Sequence, residues 1–211
     1  MSLDFDRPGL AETKRLLRVL QRPALEAAPL LLGHVLVRRL GKRTLAVRLV
    51  ETEAYLGADD PAAHASHGRT ARTEPLWGPP GTVYVYLIYG MYHCLNLAVD
   101  REGVPGCVLI RAAEPVLGGL DPLACRGPSR LCRSLGLDRR ASGAHLFAPR
   151  SSLYLREGPP PPRIDSSARV GFHDAADEPR RFFDASSPAV SPFRRQRARA
   201  SRPRRTRSPR R

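Results

Sequence analysis

Apolar residues recur at mixed spacings of three and four from Leu10 to Leu20 with charges between them, a periodicity that predicts an amphipathic helix. Pro23 ends it, and Pro29 bounds the short segment that follows. The period then falls to two. His34 to Leu40 and Thr44 to Thr52 read as two strands around a turn at Gly41-Lys42-Arg43. Alternation along the second strand sends Glu51 and Glu53 to one face and Thr52 to the other. Val83 to Ile88, His93 to Val99 and Gly106 to Ala112 are further strand candidates, with turns at Gly90 and between Arg101 and Gly106. Pro128 to Leu135 predicts a short helix, since proline suits a first turn and Gly136 can end it. Pro159 to Pro162 is a stiff extended connector, after which Arg169 to Phe172 and Arg181 to Asp184 are candidates to close the sheet. Residues 57–81 are polar and rich in Gly, Pro, Asp and Arg, and so long a connection is usually functional or disordered. Helices at the margins of a mostly antiparallel sheet predict a single α+β domain.

Composition adds a boundary and a charge. The chain has 211 residues and no internal repeat, which suits one domain with a substantial core. Pro192 to Arg211 hold ten arginines and no acids, too little apolar surface to offset the entropy of ordering. The domain is therefore expected over 1–191 and a disordered basic tail over 192–211. That tail carries ten of the fifteen net positive charges, and it is either a tether for a polyanion or a solvated end without a role. Cys94, Cys107, Cys125 and Cys132 stand singly, which fits a reducing compartment better than a disulfide framework. The start, Met1 to Asp6, lacks a cationic region followed by an apolar run, so no secretion signal is expected and a cytoplasmic or nuclear location is. Trp77 to Val99 is uncharged, but its Gly-Pro-Pro-Gly, His93, Asn96 and strand-forming residues argue against a membrane span.

The chemistry gathers between Val50 and Tyr92. Glu51 and Glu53 precede Tyr55; His64 follows; and Tyr84, Tyr86, Tyr89 and Tyr92 crowd one apolar stretch. Carboxylates beside aromatic faces in a basic chain suggest a pocket that grips a planar ring and performs acid or base chemistry on a nucleic acid. Spacing alone leaves Glu51 and Glu53 level as the reacting acid. Tyr84 and Tyr92 read as core packing, and Arg111 as a strand-end arginine pairing with Glu114. His64 and His67 lack a third ligand at a suitable spacing, so no metal is expected.

Ordered blocks make a sharper comparison. Glu51-Thr52-Glu53-Ala54-Tyr55-Leu56-Gly57, Ala62-Ala63-His64, Gly81 to Tyr92, Asn96, Val108 to Pro115, Gly127 to Cys132 and Arg169-Val170-Gly171 resemble the alkyladenine (3-methyladenine) DNA glycosylase family. The likeness runs from about Leu31 to Ser191. It implies a curved antiparallel sheet like that of a formyltransferase C-terminal domain. It also implies a cofactor-free, monofunctional, monomeric enzyme that flips alkylated or deaminated purines out of double-stranded DNA and hydrolyses the N-glycosidic bond. By the same resemblance Glu53 is the general base, Arg111 and the Val170 carbonyl help hold the water, and Glu51 gives support or salt bridging. Tyr55, His64 and Tyr86 wall the base pocket, Asn96 crowds the guanine 2-amino group, and Tyr89 is the wedge that intercalates into the DNA.

The chain departs from the family pattern in three places. Only eleven residues, Val116 to Arg126, lie where the family has a longer helical segment. Ala71 to Pro75 lacks the Pro-Arg-Asn of relatives, and Ala189 stands where some carry tryptophan. Two other classes compete with the enzyme: a protein that binds and shields lesions without cleaving, and a basic nucleic-acid-binding domain without lesion preference. The first would not need a water-activating acid beside Arg111, and the second would leave the tyrosine-walled constellation unexplained.

Overall fold

The computed structural model describes residues 5–172 and 179–192; the Arg-rich segment from 193 onward lies outside them. Helix α1 (Leu10–Leu20) turns Leu16 and Leu20 into the core, and α2 (Ala24–Leu30) buries Ala24, Ala27 and Ala28. Pro29 sits in the last turn of α2, inside the helix that sequence alone would have ended before it. Eight strands follow: β1 (Val35–Leu40), β2 (Arg43–Tyr55), β3 (Val83–Ile88), β4 (Tyr92–Ala98), β5 (Cys107–Leu117), β6 (Leu153–Arg156), β7 (Ile164–Ser167) and β8 (Arg181–Asp184). A third short helix, α3 (Pro128–Ser134), lies between β5 and β6. No described helix is long and apolar enough to cross a membrane.

The strands form one sheet in the order β3-β4-β5-β2-β1-β6, every pairing antiparallel. Strand β2 is its spine. It pairs with β5 along one edge, while its other edge is shared by β1 at residues 43–48 and β8 at residues 51–53. Register shifts at Ala46/Val47, Leu49/Glu51 and Glu51/Thr52 bend the β2·β5 ladder, as bulges do, and curl the sheet. Pro115 sits at the first of these shifts, where a residue without an N–H costs the ladder least. The fold is thus the α+β arrangement that the sequence predicts.

Two-residue alternation divides the sheet into two faces. Val83, Val85, Leu95, Leu97, Val108, Ile110 and Ala54 face the main core with α1, α2 and α3. Their neighbours Tyr84, Cys94, Cys107, Leu109 and Tyr55 face a second, smaller cluster under the loop at 57–81. Thr52 follows the core side, where its hydroxyl donates to the Ala28 carbonyl at 2.9 Å. Glu51 and Glu53 follow the other.

Three boundaries differ from expectation for physical reasons. Strand β2 runs to Tyr55 rather than Thr52, because buried ion pairs offset the acids that make Glu51-Thr52-Glu53 a poor strand by propensity. Strand β5 continues past Ala112 to Leu117, tolerating its proline at the bulge. Arg169 to Phe172 is a turn, not a strand, since Gly171 takes φ 87°. The strand that pairs with β8 lies just before it, at Ile164–Ser167. The loop at 57–81 is ordered by two single-turn 3-10 helices, His64–His67 and Glu74–Trp77.

The proline connector closes against Gly33. A Cβ on Gly33, at φ 89°, would overlap the Pro159 carbonyl, and one on Gly158 would overlap the Gly33 carbonyl. Gly33→Ala should therefore lower stability by about 3 kcal/mol or more, combining left-handed strain with a backbone clash. Gly119→Ala, at φ 65° but facing open space, should lose only about 1–2 kcal/mol. Urea unfolding of the two variants measures the difference.

Candidate active site

Four adjacent strands each place alternate side chains around a cavity of about 250 Å³. Strand β2 contributes Tyr55, β3 contributes Tyr84 and Tyr86, β4 contributes Asn96 and β5 contributes Cys107. His64, on the first 3-10 helix, packs edge-on against Tyr86 at 4.5 Å between ring centroids and shares a 2.9 Å hydrogen bond between its Nδ1 and the Tyr84 hydroxyl. Burial above all holds the His64 pKa below its usual value, with Arg72 and His67 adding to the effect, so the ring is neutral at physiological pH. Burial likewise raises the Tyr55 and Tyr86 hydroxyls and pushes Tyr84 up to about 12, so all three remain protonated donors. Asn96 is held fast: its amide donates to the carbonyls of Tyr84 at 3.2 Å and Cys94 at 3.4 Å, while its oxygen receives the Cys107 thiol.

Beside this cavity lie the two carboxylates, both fully buried and on the same face of β2. Their surroundings separate them. Glu51 Oε1 accepts from Arg111 Nε at 2.9 Å, Arg181 Nε at 2.6 Å and the Ser191 hydroxyl at 2.8 Å, and Oε2 accepts from the Ser191 N–H at 2.7 Å. Three of these donors crowd Oε1 and one meets Oε2, against the roughly two lone-pair sites that each carboxylate oxygen has. Burial opposes the charge on Glu51, but Arg111, Arg181 and Ser191 together outweigh it and hold its pKa low. Among the described residues Glu53 has fewer partners: the Val170 N–H at 2.7 Å and Arg111 at 3.3 Å on Oε1, and the Tyr55 hydroxyl at 3.1 Å on Oε2. There burial prevails over Arg111, Val170 and Tyr55, and the Glu53 pKa is raised. Two identical acids, two residues apart, are driven in opposite directions.

Behind Tyr55 is a second buried pair. Arg169 grips Asp60 with both terminal nitrogens, at 2.6 and 2.9 Å, and its guanidinium carbon lies 4.6 Å from the Tyr55 ring centre and 5.4 Å from that of Phe172. Phe172 completes the cavity wall.

The rim is apolar at its tip and basic at its sides. Tyr89 and Gly90 both take positive φ, 53° and 70°, in a turn closed by the Met91 N–H to the Ile88 carbonyl, as in a type I′ turn. Tyr89 is 81 % exposed, and Met91 and Tyr92 beside it are also exposed. Arg72, Arg139 and Arg140 line one groove beside this hairpin, Ser129, Arg130 and Arg133 line a second, and His93 borders both.

The structure thus brings Tyr55, His64, Tyr86 and Asn96 to one cavity, sets Glu53, Arg111 and Val170 behind it and places Tyr89 on its lip. Two expectations need correction. Tyr92 is exposed at the hairpin rather than packed in the core, because its strand projects beyond the sheet. Tyr84 is buried as expected, yet its hydroxyl also serves the cavity through His64. Arg111 pairs with Glu51 and Glu53, whereas Glu114 is taken by Arg48 at 2.6 Å. Val170 reaches Glu53 through its N–H. Sequence reasoning missed Phe172, Asp60, Arg181 and Ser191. Only Asp60 left a local trace, accepting the Ala62 N–H two residues on, a habit of aspartates in loops.

Comparison with known proteins agrees with this geometry. Residues 18–188 match the family model described as methylpurine-DNA glycosylase. A Methanocella arvoryzae protein, named provisionally as a 3-methyladenine DNA glycosylase, is 45 % identical over 184 residues, covering 81 % of this chain and 92 % of its own. A Myxococcus xanthus protein of the same provisional name is 45 % identical over 175 residues, covering 81 % and 89 %. The mouse DNA-3-methyladenine glycosylase is 41 % identical over 199 residues, covering 81 % of this chain and 59 % of the mouse protein. A match across the whole curved sheet, together with this identity, establishes that the chain belongs to the methylpurine-DNA glycosylase family.

Proposed function

We propose that this DNA glycosylase removes alkylated or deaminated purines, of the 3-methyladenine, hypoxanthine and ethenoadenine class, from double-stranded DNA. The nucleotide is flipped into the cavity, where Tyr55, Tyr86 and His64 stack on the base. Asn96, its amide fixed by the protein itself, crowds a guanine 2-amino group. Tyr89 enters the stack in place of the flipped base, and the basic grooves beside it hold the backbone phosphates. The enzyme works as a monomer without metal or cofactor, leaves an abasic site and has no lyase step. The domain over 1–191 carries the chemistry, and the tail over 192–211 adds nonspecific attraction.

The observation that carries this reading is the contrast between the two acids. Glu51 takes four donors, three of them crowded on Oε1, whereas among the described residues Glu53 takes three, and its Oε2, met there by the Tyr55 hydroxyl, can accept a proton from a water. Glu53 is then the general base that directs this water to C1′ of the sugar. Arg111 bridges both acids, and with the Val170 carbonyl it helps orient the water. As the glycosidic bond breaks, positive charge grows on the sugar and the Glu53 carboxylate stabilises it.

Glu53→Gln should lower single-turnover excision of hypoxanthine from duplex DNA by at least about two orders of magnitude while lesion binding persists. Near wild-type excision by that variant refutes the assignment.

The two acids should also differ in stability. The folded state raises the Glu53 pKa, so the stability linked to its proton is present below the unfolded value and lost as pH rises through the folded one. Above its folded pKa the ionised Glu53 is a burden, and there Glu53→Gln should raise the Tm. Glu51 has the opposite sign: its charge stabilises above the unfolded pKa, and this is lost as pH falls through the lower folded value. Glu51→Gln should cost about 3–5 kcal/mol at neutral pH, as in breaking one side of a buried pair. Thermal unfolding of both variants across pH reads the signs directly.

Tyr89 holds a left-handed backbone that costs a tyrosine about 1–2 kcal/mol. Tyr89→Asn forms the Asn-Gly pair that such turns prefer. It should raise the Tm while weakening binding to lesion-bearing duplex, a pairing of gain and loss that a core tyrosine would not show. Differential scanning fluorimetry and fluorescence anisotropy check the two halves.

A further inference from the structure

We infer that the buried Asp60–Arg169 pair is a positioning device for Glu53, locking the two groups that orient the base to the walls of the lesion cavity. The inference rests on the reading of Glu53 as general base. Arg169 is almost wholly buried, and its guanidinium plane serves several partners at once. One nitrogen donates to the Ala54 carbonyl at 3.2 Å, in the strand between Glu53 and Tyr55. Its plane backs the rings of Tyr55 and Phe172. Asp60 receives its fork and also the N–H groups of Leu56 and Ala62, both at 3.1 Å, tying the loop that presents Ala62, Ala63 and His64 to the same anchor.

The consequence for Glu53 follows from chain connectivity. Val170, which donates its N–H to Glu53 Oε1, is the residue after Arg169. Tyr55, which donates its hydroxyl to Oε2, is the ring on which Arg169 lies. Both hydrogen bonds therefore depend on one guanidinium being held flat and in place. Lysine keeps the charge and can keep one contact to Asp60, but it lacks the plane and the fork. Arg169→Lys thus separates geometry from charge.

Loss of position should free the Val170 N–H from Glu53 and remove a donor that favours its ionised form. The acid limb of excision then moves to higher pH. Among the described residues the titratable and charged groups facing Glu53 are Arg111 from β5, Arg181 from β8 through Glu51, Glu51 and Tyr55 on its own strand, Tyr86 from β3 and Cys94 from β4. Arg169→Lys alters none of them, so the direction of the shift is not confused by a change in charge.

The test compares single-turnover excision of hypoxanthine from duplex DNA against pH for the full-length wild type, Arg169→Lys, Asp60→Asn, Glu53→Gln and Arg48→Lys. Arg48 pairs with Glu114 and Asp184 outside the cavity, and its variant controls for loss of stability alone. Arg169→Lys is expected to lose on the order of ten- to a hundred-fold in rate, the cost of a misplaced reacting group, with its acid limb moved upward. Arg48→Lys should keep the wild-type limb whatever its Tm. If Arg169→Lys does not fold, Asp60→Asn takes its place, and a slower rate with an upward-moved limb is again expected. A wild-type rate and limb in a folded variant of the pair overturns the inference while Glu53→Gln remains inactive. Full activity in Glu53→Gln instead removes the base assignment beneath it.

Discussion

A carboxylate shut away from water must find a cation or several hydrogen bonds, and a strand that buries two of them in three residues sets terms for everything around it. Strand β2 does this with Glu51 and Glu53. Arg111 reaches across from β5 to bridge both, and Arg181 comes from β8. The cations cannot satisfy both acids equally. Glu51 takes the larger share and becomes a fixed anion, so Glu53 is left with a raised pKa, the property that the proposed role of a proton-exchanging base calls for. The inequality between the two sites is therefore a product of the same ion pairs that tie β5 and β8 to β2.

Much of this was legible from the chain. Period-two alternation placed Glu51 and Glu53 on one face, and ordered blocks identified the family and marked the residues that meet at the cavity. Local patterns could not supply partners distant in sequence. Ser191 lies 140 residues from Glu51, and Arg169 lies 109 from Asp60. Nothing near either residue signals the contact. The ends of β2 and β5 were misjudged because propensity weighs acids and prolines against a strand, whereas ion pairs and a bulge reverse that weighting here. Spacing leaves Glu51 and Glu53 level, and what distinguishes them is their surroundings, four donors around the one and three around the other among the described residues.

The shortened segment after β5 turns out to be supported without a helix. Arg126 makes an isolated bridge with Ala112, and its side chain donates to the Val190 carbonyl at 2.9 Å. Ala189 packs among Val50 and Ala112 in a small cluster where a bulkier residue would need more room. The economy of this corner lets the chain after β8 lie close to β2, near enough for Ser191 to reach Glu51.

That closeness has a consequence for how the molecule comes into being. Strand β2 is made early, yet its edge partner β8 and the backbone N–H that caps Glu51 belong to residues 181–191. During synthesis the first half of the sheet emerges with two acids destined for burial and most of their counterparts still unmade. A stable N-terminal half would have to bury those charges uncompensated, at a cost of several kcal/mol per ion. The two acids are therefore fully compensated only when residues 181–191 take their places, so the candidate site and the structural core share contacts that are among the farthest apart in the chain.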